Sequence, residues 1–143
     1  MALGTQAFDD IAGLVQFAQH QQIDLTVVGP EKPLILGVVD AFEAAGLRIF
    51  GPTAENAQIE GSKVFSKQLM KQAGVPTASF EVFETAPDAL AYLAAATYPI
   101  VIKADGDAAG KGVVVAVSLE EAQNAITRIM VTREFGASGD KVV

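Results

Sequence analysis

The chain has 143 residues, with 10 basic and 17 acidic side chains and a formal net charge of −7. This acidic balance is not the basic footprint of a nucleic-acid-binding domain, and it disfavours an anionic membrane surface, although one local basic site for a phosphate is compatible with it. There is no cysteine and one histidine, which excludes a disulfide, a thiolate nucleophile and cysteine-ligated zinc within this chain. Chemistry here must therefore use Lys, Asp, Glu, Ser and the backbone.

The apolar segments of the chain are short. Runs such as 113–117 fall far below the roughly 18 residues that indicate a membrane span. The first ten residues have no basic stretch before an apolar one, which disfavours a signal peptide. We therefore expect a cytoplasmic protein with neither a membrane nor a nucleic acid as its partner.

The first half of the chain alternates amphipathic segments with short β-branched ones, a pattern typical of a parallel sheet covered by helices. Glycine-proline pairs end both predicted strands. In chain order, the predicted elements are a helix over 8–20, a buried strand over 23–28, a helix over 34–45, a strand over 47–50 and a helix that starts with Thr53 as its cap.

A further helix is predicted over 63–72, with Ser62 as its N-cap and Gly74 at its end. The rest of the chain reads β-α-β-β-α-β, the split arrangement of ferredoxin-like domains. Its predicted elements are a strand over 79–83, a helix over 87–96 capped by Thr85, strands over 100–104 and 113–117, a helix over 119–130 with a Ser118–Glu121 capping box, and a strand over 141–143. Both ends of the sequence fall inside predicted core elements, so we expect a fragment of a longer protein.

The segment KADGDAAGKG, residues 103–112, is the strongest candidate for chemistry. Three glycines and the Ala108-Ala109 pair leave its backbone free to aim several N–H groups at phosphate oxygens, and Lys103 and Lys111 add positive charge. The spacing matches neither the Walker A motif nor GxGxxG. A phosphate-binding loop and a hairpin tip that is glycine-rich only to turn both remain open on this segment alone.

Two other turns carry weaker patterns. Gly61-Ser62-Lys63 opens a helix whose N-terminus attracts anions, but a plain capping serine explains that spacing as simply. Gly29-Pro30-Glu31 follows the carboxyl end of a predicted parallel strand, where ligands of open α/β sheets collect. There Glu31 could accept hydrogen bonds from sugar hydroxyls or an amine, although a rigid turn is the simpler interpretation. Lys67 and Lys71 lie four residues apart, as expected of a solvated helix face.

Six blocks occur in a characteristic order: VVGPEKPL, FGPT, EGSK, GVPTA, PIVIKADGDAAGKGVVVA and FGASGDKVV. Together, from Asp9 to Val143, they resemble the phosphoribosylamine–glycine ligase family of the ATP-grasp superfamily. The resemblance implies an α/β fold in which 1–58 are the rear part of a Rossmann-like pre-ATP-grasp domain, 59–76 a linker region and 77–143 a truncated ATP-grasp lid subdomain. It implies ATP-dependent ligation of glycine to phosphoribosylamine in purine biosynthesis, through an acyl phosphate.

By matching position, the resemblance also implies site residues. The two lysines that hold nucleotide phosphates match Lys63 and Lys103, the loop over 106–112 matches the lid over the polyphosphate, and Glu31 lies in the turn that faces phosphoribosylamine. The implied ATP-binding set is Lys63, Lys103, Gly106, Ala108, Ala109, Gly110, Lys111 and Gly112, and the implied substrate set is Gly29, Pro30 and Glu31. The cofactors implied for the full-length enzyme, a monomer, are ATP with Mg²⁺ or Mn²⁺.

The sequence departs from the family pattern in three ways. The glycine-rich opening strand is missing before Met1, and the adenine-contacting segment, the metal ligands and most of the glycine site are expected beyond Val143. No catalytic residue or metal ligand is therefore assigned to this chain, which we expect to be inactive alone. Asp107 stands where the family usually has an apolar residue, and its carboxylate should repel ATP. The alternatives are another ATP-grasp ligase or carboxylase, and a non-catalytic nucleotide-binding module.

Overall fold

A computed structural model describes residues 6–106, 108 and 111–143. The chain forms two compact units, one up to Gly61 and one over Ser62–Val143. No helix in these described ranges is long and apolar enough to cross a membrane. The elements of the first unit are α1 (Ile11–His20), β1 (Thr26–Val27), α2 (Glu31–Ile35), α3 (Val38–Ala44), β2 (Ile49–Phe50) and α4 (Ala54–Gly61). Those of the second are α5 (Lys63–Gln72), α6 (Ala86–Ala94), β3 (Ile100–Lys103), β4 (Val113–Ala116) and α7 (Leu119–Ile126), followed by a π-helix (Thr127–Val131) and a 3₁₀-helix (Gly136–Gly139).

In the first unit, β1 and β2 pair in parallel, with Val27 opposite Phe50. One face of this pair packs on a core of α1 and α3, in which Phe42 is 2% exposed. The predicted α/β class is confirmed, but the prediction of fully buried strands is wrong here. Because successive side chains of a strand point to opposite faces, Val27 and Phe50 lie on the face that no described helix covers, 67% and 70% exposed.

The prediction of one helix over 34–45 is also wrong, because the structure has two helices there, α2 and α3. Gly37 has a φ of 83° and separates α2 from α3. A left-handed residue cannot continue a right-handed helix, and glycine adopts this conformation at little cost.

The start of α4 is bonded to a carboxylate of α3, since the Ala54 amide donates to Oδ2 of Asp40 at 2.8 Å.

In the second unit, β3 and β4 form an antiparallel hairpin. Val142 bridges to Phe83 on one side and to Ala104 on the other, both antiparallel. The segment around Val142 therefore lies between the two strand segments of the first β-α-β unit, those at Phe83 and at Ala104. This confirms the predicted arrangement, in which another strand separates the two strands of a β-α-β unit. The predicted strands over 79–83 and 141–143 are reduced to these single bridges. The segment before Phe83 is held instead by α5, where Lys67 Nζ donates to Thr77 Oγ1 at 2.6 Å.

The predicted helix over 119–130 changes character in the middle. It is α-helical to Ile126 and continues as a π-helix. The predicted caps at Ser62, Thr85 and Ser118 are confirmed, each accepting a backbone N–H through its side chain. Glu121 completes a variant of the capping box, because its carboxylate accepts the Val117 amide at 3.0 Å. The buried core beneath these elements comprises Ala89, Leu93, Ile102, Ala104, Ala116, Ala122, Ala125, Ile126, Ile129 and Val142.

Candidate functional site

The glycine-rich loop begins and ends on the β3–β4 hairpin. The Ala104 amide donates to the Gly112 carbonyl at 2.7 Å, which closes the base of the loop. A Cβ on Gly112 would lie 2.6 Å from the Cβ of Ala108, so close packing requires glycine at this position. Of the loop residues singled out from the sequence, Gly106, Ala108, Lys111 and Gly112 are described, whereas Asp107, Ala109 and Gly110 lie outside the described residues.

Gly106 marks the first turn of the loop. Its φ of 110° is a conformation that L side chains rarely adopt, and a Cβ there would lie 2.8 Å from Ser138 Oγ. Both the backbone conformation and the space therefore require glycine. The loop passes this point in close contact with the segment over 136–140, part of the block FGASGDKVV.

Asp105, which the sequence interpretation missed, connects the base of the loop to the start of α5. Ser62 Oγ donates to Asp105 Oδ1 at 2.9 Å and to Oδ2 at 3.2 Å, and the Val64 amide donates to Oδ1 at 3.1 Å. Ser62 Oγ in turn accepts the Phe65 amide at 3.0 Å. The anion that the N-terminus of α5 attracts is thus a carboxylate of the chain itself. In the sequence, the one sign of this role is an acidic residue directly after a predicted strand. The residues that Asp105 bonds, Ser62 and Val64, lie more than 40 positions earlier in the chain.

Lys63 lies at the same junction. Its Nζ donates to the Gly106 carbonyl at 2.8 Å, and the contact is partly buried. A carbonyl is a neutral acceptor, and among the described residues no carboxylate lies within 4.0 Å of this ammonium group. The structure therefore brings Lys63 and the loop together, as a phosphate site would require.

Lys103 lies at the end of β3 on the wall of a cavity of about 260 Å³. Its backbone exchanges two hydrogen bonds with Val143, each of 2.9 Å. Most of the wall is apolar, and the rings of Phe83 and Tyr92 meet there with their centroids 5.2 Å apart. Lys67 also lines the cavity, whereas Lys63 does not. The two predicted lysines thus occupy different places on the second unit.

Lys111 is exposed in the described end of the loop. Its charge acts on Glu134, whose pKa is lowered chiefly by the hydrogen bond from Arg128, with Lys111 making a smaller contribution against the effect of burial. The role of Lys111 in a phosphate site therefore stays a prediction.

The other predicted residues lie in the first unit. Gly29 and Pro30 follow β1 as expected, and Glu31 is the first residue of α2. All three are exposed, and a Cβ on Gly29 would meet nothing within 4 Å. Pro30 has extended backbone angles (φ −80°, ψ 151°) that end the strand and open the helix. Within the described part of the chain, Glu31 has no hydrogen bond or ion pair, so its carboxylate is available to a ligand.

The donor set suits a nucleotide phosphate better than a metal ion. It combines the ammonium group of Lys63 with two loop glycines, Gly106 with its positive φ and the tightly packed Gly112, which are features of phosphate-binding loops. Nowhere in the described ranges do three or more His, Cys, Asp or Glu side chains come together as metal ligands.

Comparisons with known proteins agree with this geometry. The family model "Phosphoribosylglycinamide synthetase, N domain" matches residues 3–60, and "Phosphoribosylglycinamide synthetase, ATP-grasp (A) domain" matches 61–143. The chain is 55% identical over 134 residues to phosphoribosylamine–glycine ligase of Salmonella typhimurium, covering 94% of this chain and 31% of that protein. It is 55% identical over 137 residues to the Vibrio vulnificus ligase, covering 96% and 32%. The chain thus spans about a third of the length of these relatives.

Solved structures show the same relationship. The crystal structure of phosphoribosylamine–glycine ligase from Thermotoga maritima has a TM-score of 0.65 and 34% identity, covering 81% of this chain and 28% of that one. The biotin carboxylase domain of the Hydrogenobacter thermophilus 2-oxoglutarate carboxylase shares the fold, with a TM-score of 0.71 and 24% identity over 98% of this chain and 32% of that one. The resemblance expected from the sequence is confirmed, and the chain belongs to the phosphoribosylglycinamide synthetase family.

Proposed function

We propose that this chain supplies the N domain and the first part of the ATP-grasp domain of an ATP-dependent carboxylate–amine ligase. The ligase joins glycine to 5-phosphoribosylamine and forms glycinamide ribonucleotide, ADP and phosphate, a reaction of purine biosynthesis. The observation that carries the proposal is the family match across both units, at 55% identity to named ligases. The proposal includes a cytoplasmic, monomeric full-length enzyme with small-molecule substrates.

The reaction proceeds in two transfers. A carboxylate oxygen of glycine attacks the γ-phosphorus of ATP, the bond to the bridging oxygen breaks, and ADP leaves. The amine of phosphoribosylamine then attacks the carbonyl carbon of the glycyl phosphate, and phosphate departs with the oxygen that came from glycine. Catalysis of this kind depends on positioning and on neutralising charge.

The residues of this chain would bind and orient ATP. Lys63 and Lys103 would place positive charge on the phosphates, and the loop over 106–112 would cover them with backbone N–H groups. Lys111 would add charge at the far end of the loop. The apolar wall beside Lys103 suits a flat purine ring. Mg²⁺ or Mn²⁺ would neutralise phosphate charge when bound, with ligands supplied from beyond Val143.

The turn of Gly29, Pro30 and Glu31 would contribute to the phosphoribosylamine site. Two features support this role: its place at the carboxyl end of a parallel strand and the unpartnered carboxylate of Glu31. A carboxylate there can accept hydrogen bonds from ribose hydroxyls or from an amine.

The proposal is tested by exchanging this chain for the matching segment of the Salmonella typhimurium ligase and measuring ADP formation. We expect ADP formation that requires both glycine and phosphoribosylamine. The isolated 143-residue chain is the matched control and should show no turnover. A folded chimera that forms ADP with another amino acid but not with glycine would contradict the proposal.

A further inference from the structure

Asp105, just after β3, contacts two other parts of the second unit. Its backbone N–H donates to the Lys141 carbonyl at 3.0 Å, and its carboxylate accepts from Ser62 Oγ and the Val64 amide at the start of α5. The next residue, Gly106, accepts Lys63 Nζ through its carbonyl. Asp105 therefore connects β3, the end of the chain and α5 at the point where the loop departs.

The contacts of this carboxylate explain how a negative charge is tolerated beside a proposed phosphate site. Asp105 points at the helix N-terminus, where the backbone dipole and free N–H groups favour an anion. With Ser62 Oγ and Val64 N–H donating to it, its charge is directed away from the loop. The same arrangement occupies the Val64 and Phe65 amides at the N-terminus of α5, which favours the lysines and the loop as the groups that hold a nucleotide phosphate.

Lys63 gains its position from the same contacts. A lysine side chain is a flexible stem with a strongly hydrated charge, and it keeps one position only where its surroundings fix it. Here the backbone of α5 is attached to the loop through Asp105, and Nζ is attached to the loop through Gly106. These two attachments, at adjacent residues of the loop, fix the ammonium group relative to the loop backbone.

We propose that Asp105 is a positioning residue that attaches the base of the phosphate-binding loop to α5 and thereby sets Lys63 against the loop. The role of the loop in ATP binding rests on the proposed function, whereas the attachment itself does not. Asp105 acts through Lys63 and the loop backbone and has no contact with the reacting atoms.

The attachment is tested in the 143-residue chain by amide hydrogen exchange at Val64. Asp105→Ala removes the one described acceptor of this amide, so we expect exchange at least about tenfold faster, as for the loss of a hydrogen bond to a charged group. Asp105→Asn retains an acceptor oxygen and should keep the exchange rate within about threefold of wild type. Asp24→Asn, an exposed aspartate without a described partner, is the matched control and should change nothing. Unchanged exchange at Val64 in Asp105→Ala would overturn the proposal.

The consequence for the nucleotide is tested by steady-state kinetics of the same variants in the chimeric ligase. We expect Asp105→Ala to raise the KM for ATP about tenfold while the KM for glycine stays within about twofold, with partial rescue in Asp105→Asn. A merely structural role would reduce the active fraction and lower kcat while leaving both KM values unchanged, and that result would overturn the proposal. If the wild-type chimera is inactive, the proposed function fails, and the exchange result alone decides whether Asp105 is the attachment.

Discussion

Gly106 is the residue at which the path of the loop is most constrained. Its φ of 110° and the nearness of Ser138 Oγ act together, so Gly106→Ala should destabilise the second unit by about 3 kcal/mol through backbone strain and displacement of Ser138. Gly136 also has a positive φ (57°) but open space around it, so Gly136→Ala should cost less, about 1–2 kcal/mol. Urea unfolding followed by tyrosine fluorescence measures this, because both tyrosines, Tyr92 and Tyr98, lie in the second unit. Equal costs for the two variants would contradict the steric part of the argument.

Alanine variants can distinguish the two lysines predicted to hold phosphates from ordinary surface lysines. Lys63→Ala and Lys103→Ala in the chimeric ligase should each lower kcat/KM for ATP by about 100-fold, since each removes a charge from the phosphates. Lys71→Ala is the matched control, because Lys71 is exposed on the same helix as Lys63 and has no described partner. Wild-type kinetics in Lys63→Ala would remove Lys63 from the proposed site.

At the level of residues, sequence reasoning succeeds where the interaction is local. The caps at Ser62, Thr85 and Ser118 each bond a backbone amide three positions away, so the signal lies within a single short window. Asp105 could not be identified in this way. Its partners, Ser62 and Val64, are more than 40 positions distant, and nothing in the local sequence indicates which helix the carboxylate meets.

At the level of elements, the π-helix after α7 carries an exposed ion pair whose effect depends on pH. Arg128 Nε and Nη2 donate to the two carboxylate oxygens of Glu134 at 2.8 and 3.0 Å. These bonds lower the pKa of Glu134. A carboxyl group with a lowered folded-state pKa stabilises the fold above its unfolded pKa, and this contribution is lost as the pH falls through the folded-state pKa.

We therefore expect Glu134→Gln to lower the urea midpoint of the second unit slightly near neutral pH. The difference from wild type should begin to shrink below the ordinary glutamate pKa of 4.5 and vanish below the lowered folded-state pKa, and it should shrink in high salt. Glu81→Gln is the control, because Glu81 is exposed and without a described bond in the same unit. A difference that grows as the pH falls would have the wrong sign.

Helices are predicted from this sequence better than strands are. Amphipathic spacing and caps are properties of one segment, and all the predicted helices have a counterpart, although Gly37 divides one and a π-helix ends another. A strand depends on its partner. The segment over 79–83 has the composition of a strand, yet Phe83 alone bridges to Val142, and Lys67 holds Thr77 against α5. The amino-acid composition of this segment cannot show whether its residues pair with another strand or lie against a helix.

At the level of the whole molecule, each unit has its own buried core. Phe42 lies in the core of the first unit and Ile126 in that of the second, 2% and 1% exposed. Ile126→Ala should destabilise the second unit by about 2–5 kcal/mol. Amide exchange near Phe42 should stay within about threefold of wild type, and Phe42→Ala should give the reverse pattern. A loss of protection in both cores from either substitution would show one cooperative unit instead of two.

The division between the two compact units falls at Gly61 and Ser62, a helix breaker and a helix cap. The predicted domains over 1–58 and 77–143, with a linker over 59–76, stay a prediction. Composition alone does not reveal the proposed phosphate site, because its lysines are a small part of a chain with a net charge of −7. The motif resemblance names these lysines, and the structure adds the contacts of Lys63 with Gly106 and of Val64 with Asp105.

The proposed ligase, which the loop and lysines of this chain would serve, activates a carboxylate as an acyl phosphate. The decisive experiment gives the chimeric ligase glycine labelled with ¹⁸O in its carboxylate and analyses the released phosphate by mass spectrometry. Each phosphate should carry one ¹⁸O atom, because the carboxylate oxygen that attacks ATP leaves with the phosphoryl group. Glycinamide ribonucleotide formed together with unlabelled phosphate would contradict this mechanism.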